Sequence, residues 1–192
     1  MAIAMASGCG QTDGAPVPPA SHAHRMAGMD ADASPAPIVK TPVSAQSAHG
    51  RADTVFVSPE GAVRTLTSAL ALVARGGHVI VRAGVYHEPT IVVSQPVEIA
   101  GEGYPTLDGD GAHQIMTVTA DDVTVRGIRF AHVGTSFVED RAALKVISAS
   151  GCAILDDRFD DAFFAIYLAH ASSCRVERNV IHGNAATEST SG

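Results

Sequence analysis

Residues 115–130 read IMTVTADDVTVRGIRF, residues 144–159 read LKVISASGCAILDDRF, and residues 166–181 read IYLAHASSCRVERNVI. The three segments align without a gap, and their starts at Ile115, Leu144 and Ile166 lie 29 and 22 residues apart. The alignment sorts side chains into columns. Ile115, Leu144 and Ile166 share one, and Thr117, Val146 and Leu168 the next but one. Val123, Cys152 and Cys174 form a third, Val125, Ile154 and Val176 a fourth, and Phe130, Phe159 and Ile181 a fifth. Between these columns, Met116, Lys145 and Tyr167 are predicted to face outward, as are Thr124, Ala153 and Arg175. A period of two belongs to strands. A 22-residue repeat holding two or three short strands belongs to a coil that returns to its starting point. Each turn then stacks on the last through parallel hydrogen bonds at about 4.8 Å. The longer first step fits an insertion within residues 131–141.

One coil cannot bury its own inner face, so stacking supplies the core, at roughly 1.5–3 kcal/mol for each buried Val, Leu or Ile. The predicted fold is therefore all-β, a right-handed parallel β-helix of about 22-residue coils. The 22-residue register argues against a small β-sandwich, the other architecture open to short strands. Upstream, Thr54-Val55-Phe56-Val57 reads as a strand, and residues 65–75 read as a helix. Leu66, Ala69, Leu70 and Val73 give that helix one apolar face, Thr65 or Thr67 caps its start, and Gly76-Gly77 stops it. It is placed to cover the N-terminal end of the coils. Short strands are expected around 78–81, 83–86, 90–93 and 97–99. No comparable cap follows Asn184, so the β-helix of residues 51–192 is expected to be incomplete at its C-terminus.

Composition agrees with this reading. Of 192 residues, 46% are hydrophobic but only 5% aromatic, with no Trp and 18 Gly. Such a core is built from Val, Ile, Leu and Ala. Twenty acidic residues oppose thirteen Lys and Arg, a net charge of −7 without a basic run. A phosphate backbone would be repelled, which argues against nucleic-acid binding. No apolar run approaches the roughly 20 residues of a membrane helix. The cysteines, Cys9, Cys152 and Cys174, form no CxxC motif, so no zinc-finger or thioredoxin-type site is indicated.

Residues 10–50 are rich in Pro, Ala, Ser and Gly without periodicity, and read as a disordered tether. Residues 1–9 end in Ala6-Ser7-Gly8-Cys9, which resembles a lipoprotein signal junction. A lipid on Cys9 would hold the domain at a membrane surface. The other reading is a disordered start with an incidental thiol. Within the tether, His22, His24, Met26 and Met29 offer imidazole and thioether donors, the ligand types that suit copper. The alternative is an Ala-rich tail that happens to collect two His and two Met.

Several motifs carry a family resemblance. Gly84-Val85-Tyr86, followed by residues 91–103, looks like the first coils of many β-helix proteins. Leu107-Asp108-Gly109-Asp110-Gly111 with residues 120–130, and residues 164–168 with 174–184, are narrower. Together, over residues 54–184, they resemble the NosD family. The resemblance implies a maturation factor rather than an enzyme, acting in the periplasm with an ABC-type ATPase and permease. It would assist assembly of the copper centre of nitrous-oxide reductase. The alternative is a carbohydrate-active β-helix, either a polysaccharide lyase or hydrolase or a carbohydrate-binding module.

The remaining candidates each have two readings. Cys152 and Cys174 occupy equivalent positions in adjacent coils, where stacking brings Cα atoms within disulfide range. They are read as buried thiols, a disulfide or a metal thiolate pair. Asp156 and Asp157, within a cluster that includes Asp160 and Asp161, offer the paired carboxylates of a glycosidase or the oxygen ligands of a calcium site. They also align with Gly127-Ile128 and Arg178-Asn179, which are turn positions that favour Asp for backbone reasons. Lys145 and Arg175 are the basic residues a lyase would need nearby. His78, His87, His113, His132, His170 and His182 are scattered and read as surface residues, with His170 and His182 close enough along the last coil to approach each other.

Overall fold

The alternation of apolar and polar side chains becomes three parallel sheets in the computed structural model, which describes residues 4–6, 50–136 and 138–183. In chain order, β1 (Ala4–Ala6) is followed by β2 (Ala52–Val57), α1 (Leu66–Leu72) and β3 (Val73–Val81). Next come β4 (Val85–His87), β5 (Ile91–Val93), β6 (Val97–Gly101), β7 (Thr106–Asp108), β8 (Met116–Val118) and β9 (Val123–Arg126). The remaining strands are β10 (Arg129–Ala131), β11 (Ala142–Ile147), β12 (Ala153–Leu155), β13 (Arg158–Asp160), β14 (Phe164–Ala169), β15 (Arg175–Glu177) and β16 (Val180–His182). The first sheet stacks β2, β3, β6, β9, β12 and β15. The second stacks β4, β7, β10, β13 and β16, and the third β5, β8, β11 and β14. The chain visits the three sheets in turn, so each strand pairs with its counterpart one coil away. Every pairing is parallel. The fold is a parallel β-helix.

The core is a set of vertical files. Val55, Val79, Ile99, Val125, Ile154 and Val176 stand in register down the first sheet. Phe130 and Phe159 stack with nearly parallel rings whose centroids lie 5.0 Å apart, and both are fully buried. Val123, Cys152 and Cys174 form the file expected from the repeat. Cys152 and Cys174 have Cα atoms 4.4 Å apart and their sulfurs are joined as a disulfide.

Two expectations need correction. Leu144 pairs with Met116 rather than Ile115, and Val146 with Val118 rather than Thr117. The corner after β11 carries one residue more than the corner after β8, which a gapless alignment cannot contain. Met116 and Val118 therefore point inward and are buried, while Thr117 faces out, because a one-residue slip exchanges the two faces of a strand. The helix is also shorter than 65–75. Thr65 caps it, accepting a bond from the Ser68 amide, but the chain turns extended at Val73. Gly76 and Gly77 lie inside β3, where a side chain on Gly77 would strike the Asp53 carbonyl and the Val73 side chain. Ala4–Ala6 pairs parallel with β14, along the edge of that strand away from β11.

The cap is fastened by a residue from the next coil. The buried carboxylate of Glu88 accepts bonds from the amides of Leu66 (2.6 Å) and Thr67 (3.1 Å) and from the Thr67 hydroxyl (2.8 Å). These amides are orphan donors of the first helical turn, which a carboxylate satisfies in both hydrogen bonding and charge. Leu66 and Ala69 thereby sit fully buried on the first coil.

Candidate functional site

Two corners of each coil are short throughout, at two to five residues. The third, between the second and third sheets, is not: it runs through residues 88–90, 109–115, 132–141 and 161–163 in successive turns. Loops placed on a rigid scaffold are where binding groups concentrate. Two arrangements of polar side chains occur here.

The first is a cleft of about 410 Å³ lined by Thr90, His113, Gln114, Glu139, Asp140, Arg141 and Lys145. The loop expected within residues 131–141 forms its wall. Arg141 holds that loop, donating to the Ala112 carbonyl (2.8 Å) and to Glu139 (3.0 Å), and Lys145 donates to the Asp140 carbonyl (3.0 Å). A smaller hollow of about 250 Å³ adjoins the same loop, with Phe163 and Phe164 on its far side. The phenyl rings of these two residues meet edge to face at 4.7 Å.

The second is a line of imidazoles and carboxylates along the ends of the second-sheet strands. His87, Asp108, Ala131, Asp160 and His182 are register partners on successive coils. His87 Nδ1 lies 2.7 Å from Asp110 Oδ1, and His132 Nδ1 lies 2.8 Å from Asp108 Oδ2. One coil pair further, His182 Nδ1 lies 2.9 Å from Asp160 Oδ1. Burial pushes the Asp108 carboxyl up, but bonds from the Asp110 amide and from His132 outweigh it, so its pKa lies below the usual range. The same contact, a hydrogen bond to Asp108, raises the pKa of the His132 imidazole. Asp160 follows the pattern of Asp108, burial opposed by stronger bonds from His182 and Arg129.

Comparison with known proteins bears on this architecture. Over 99 residues, 51% of the chain, the sequence is 30% identical to a Pseudomonas aeruginosa protein named probable ABC transporter binding protein NosD. The chain is similar to NosD. It covers 23% of the length of that curated relative. No family model matches the chain, and no solved structure does. The coils described above give this likeness to NosD its structural form, a stack of parallel turns.

The residues singled out from the sequence fall in different places relative to this NosD-like stack. Cys9, His22, His24, Met26 and Met29 lie outside the described residues. Asp156 and Asp157 stand in different environments. Asp156 is half-exposed and accepts from Arg178 Nε (2.7 Å) and Nη2 (2.8 Å). Asp157 is fully buried and has no access to a substrate. Its Oδ1 accepts from the Ile128 amide at 2.8 Å, and among the described residues its Oδ2 has no partner. Burial pushes its pKa to about 7. One coil on, Asn179 does the same work with a full set of bonds, its Oδ1 accepting from the Asp157 amide and its Nδ2 donating to the Ile154 carbonyl. Arg175 is bound to Glu177, and Lys145 lines the cleft. His170 follows β14 and His182 ends β16, so they occupy different corners and do not meet. Missed altogether was the association of His87, Asp108, Asp110 and His132. The sequence signal for it is the run Leu107-Asp108-Gly109-Asp110-Gly111, quoted above only for its resemblance.

Proposed function

We propose that the chain is an assembly module of the NosD type, working outside the cytoplasmic membrane with an ABC-type ATPase and permease. Its task in this reading is to assist delivery of copper, as cargo, into the metal centre of nitrous-oxide reductase. The similarity to NosD across half the chain carries the reading. Other observations support it. The Cys152–Cys174 disulfide suits an oxidising compartment. No helix among the described residues is long and apolar enough to cross a membrane. A lipid on Cys9 and the tether behind it would keep the coils near a transporter, and His22, His24, Met26 and Met29 would give cuprous copper a flexible set of donors. The test is removal of the protein from its native host. Nitrous-oxide reductase should then accumulate with its copper centre unfilled while its polypeptide remains present. A fully loaded reductase in that strain would refute the proposal.

The cleft favours one second reading, a carbohydrate-binding surface or a lyase or hydrolase built on the same scaffold. It combines Glu139 and Asp140 with Arg141 and Lys145, and the adjoining hollow is bordered by Phe163 and Phe164. Release of reducing ends from a uronate polymer, lost in Lys145→Ala, would replace the first reading with this one.

A further inference from the structure

We infer that His87, Asp108 and Asp110 form a binding site for a divalent transition-metal ion of borderline softness, of the zinc or copper(II) class. The site goes beyond the maturation reading, because it stands on the first coils and does not involve the tether. Each of the three side chains offers one ligand atom, and these atoms lie within 4.8 Å of one another. Zinc bonds nitrogen and carboxylate oxygen at about 2.0–2.2 Å, so ligand atoms around it stand roughly 3–4 Å apart. Closing onto an ion therefore needs only small side-chain rotations. The scaffold holds the group in place: His87 and Asp108 are register partners on β4 and β7, and the Asp110 amide donates to Asp108 Oδ1 at 2.9 Å.

The donor set selects the ion. Two carboxylates neutralise a divalent charge, and the imidazole disfavours calcium and magnesium, which take oxygen ligands. No thiolate or thioether belongs to the group, so cuprous ion is not its partner. Asp108 also has the support expected of a metal-bound carboxylate. His132 binds its other oxygen, and its side chain is only 12% exposed, which fixes its orientation. His87 and Asp110 remain half-exposed, leaving an open side where water or an incoming donor would complete the coordination. The sister pair, Asp160 and His182, lacks this character. Arg129 already occupies Asp160, so a cation is in place there.

The experiment is zinc titration of the full chain carrying His22→Ala, His24→Ala and His49→Ala, which removes the tether's imidazoles. One ion per chain should bind. His87→Ala or Asp110→Asn should weaken it more than tenfold, and His132→Ala about tenfold. His182→Ala should leave it unchanged. Absence of zinc binding, unchanged affinity in His87→Ala, or equal affinity for calcium would overturn the site. Should a variant fail to fold, the zinc X-ray absorption spectrum of the parent chain decides. A single imidazole with oxygen ligands is expected, and several imidazoles or any sulfur would refute the assignment.

Discussion

At the scale of single residues, Asp157 shows how much one position in a repeat can differ from its counterpart. Asn179 satisfies an amide and a carbonyl of the coil beneath it, whereas Asp157 satisfies only the amide. The carbonyl equivalent to that of Ile154 belongs to Val125, and only a protonated Asp157 could donate to it. The folded protein therefore holds this proton more tightly than the unfolded chain, with a pKa of about 7 against 3.8. Stability drawn from the neutral acid is complete below the free value and falls as pH rises from about 4 through 7. The loss is on the order of 4 kcal/mol once the carboxyl is ionised. Asp157→Asn should raise the melting temperature at pH 8 and change it little at pH 4. Equal shifts at the two values would show that ionisation is not involved. The aligned segments put Asp157 in a turn column. They could not show that the turn lies against the core, because burial depends on how closely the coils stack.

At the scale of elements, strands were legible wherever apolar residues alternate, and boundaries were lost where corners differ in length. The repeat steps gave the files at Val125 and Phe130 correctly, and missed the Met116 register for want of one corner residue. The helix was legible from Leu66 and Ala69, while its end was not, because Val73 leaves the helix to pair with β2. Two predictions belong here. Glu88→Ala should cost about 2 kcal/mol in denaturant unfolding, since it strands buried helix donors. A loss below a few tenths would mean that water replaces the clasp. Gly101→Ala should cost about 1–3 kcal/mol, because an added methyl would run into the Gly127 carbonyl of the next coil. A neutral result in the same assay would require the coils to part locally.

At the scale of the whole molecule, the core was legible and the candidate site was not. Core files recur at each turn, and recurrence is what an alignment detects. His87, Asp108, Asp110 and His132 come from three turns joined by corners of unequal length, so no fixed spacing brings them together. The disulfide acts at this scale too. A stacked array melts by fraying, its outermost rung peeling away while inner rungs hold. Cys152 and Cys174 tie β12 to β15, so neither rung can peel from the other. Amide exchange at residues 175–177 should approach the rate at residues 153–155 in the oxidised protein and become much faster after reduction, as mass spectrometry would read. A solenoid stapled in this way frays two rungs at a time, so the smallest piece it can shed has twice the usual length.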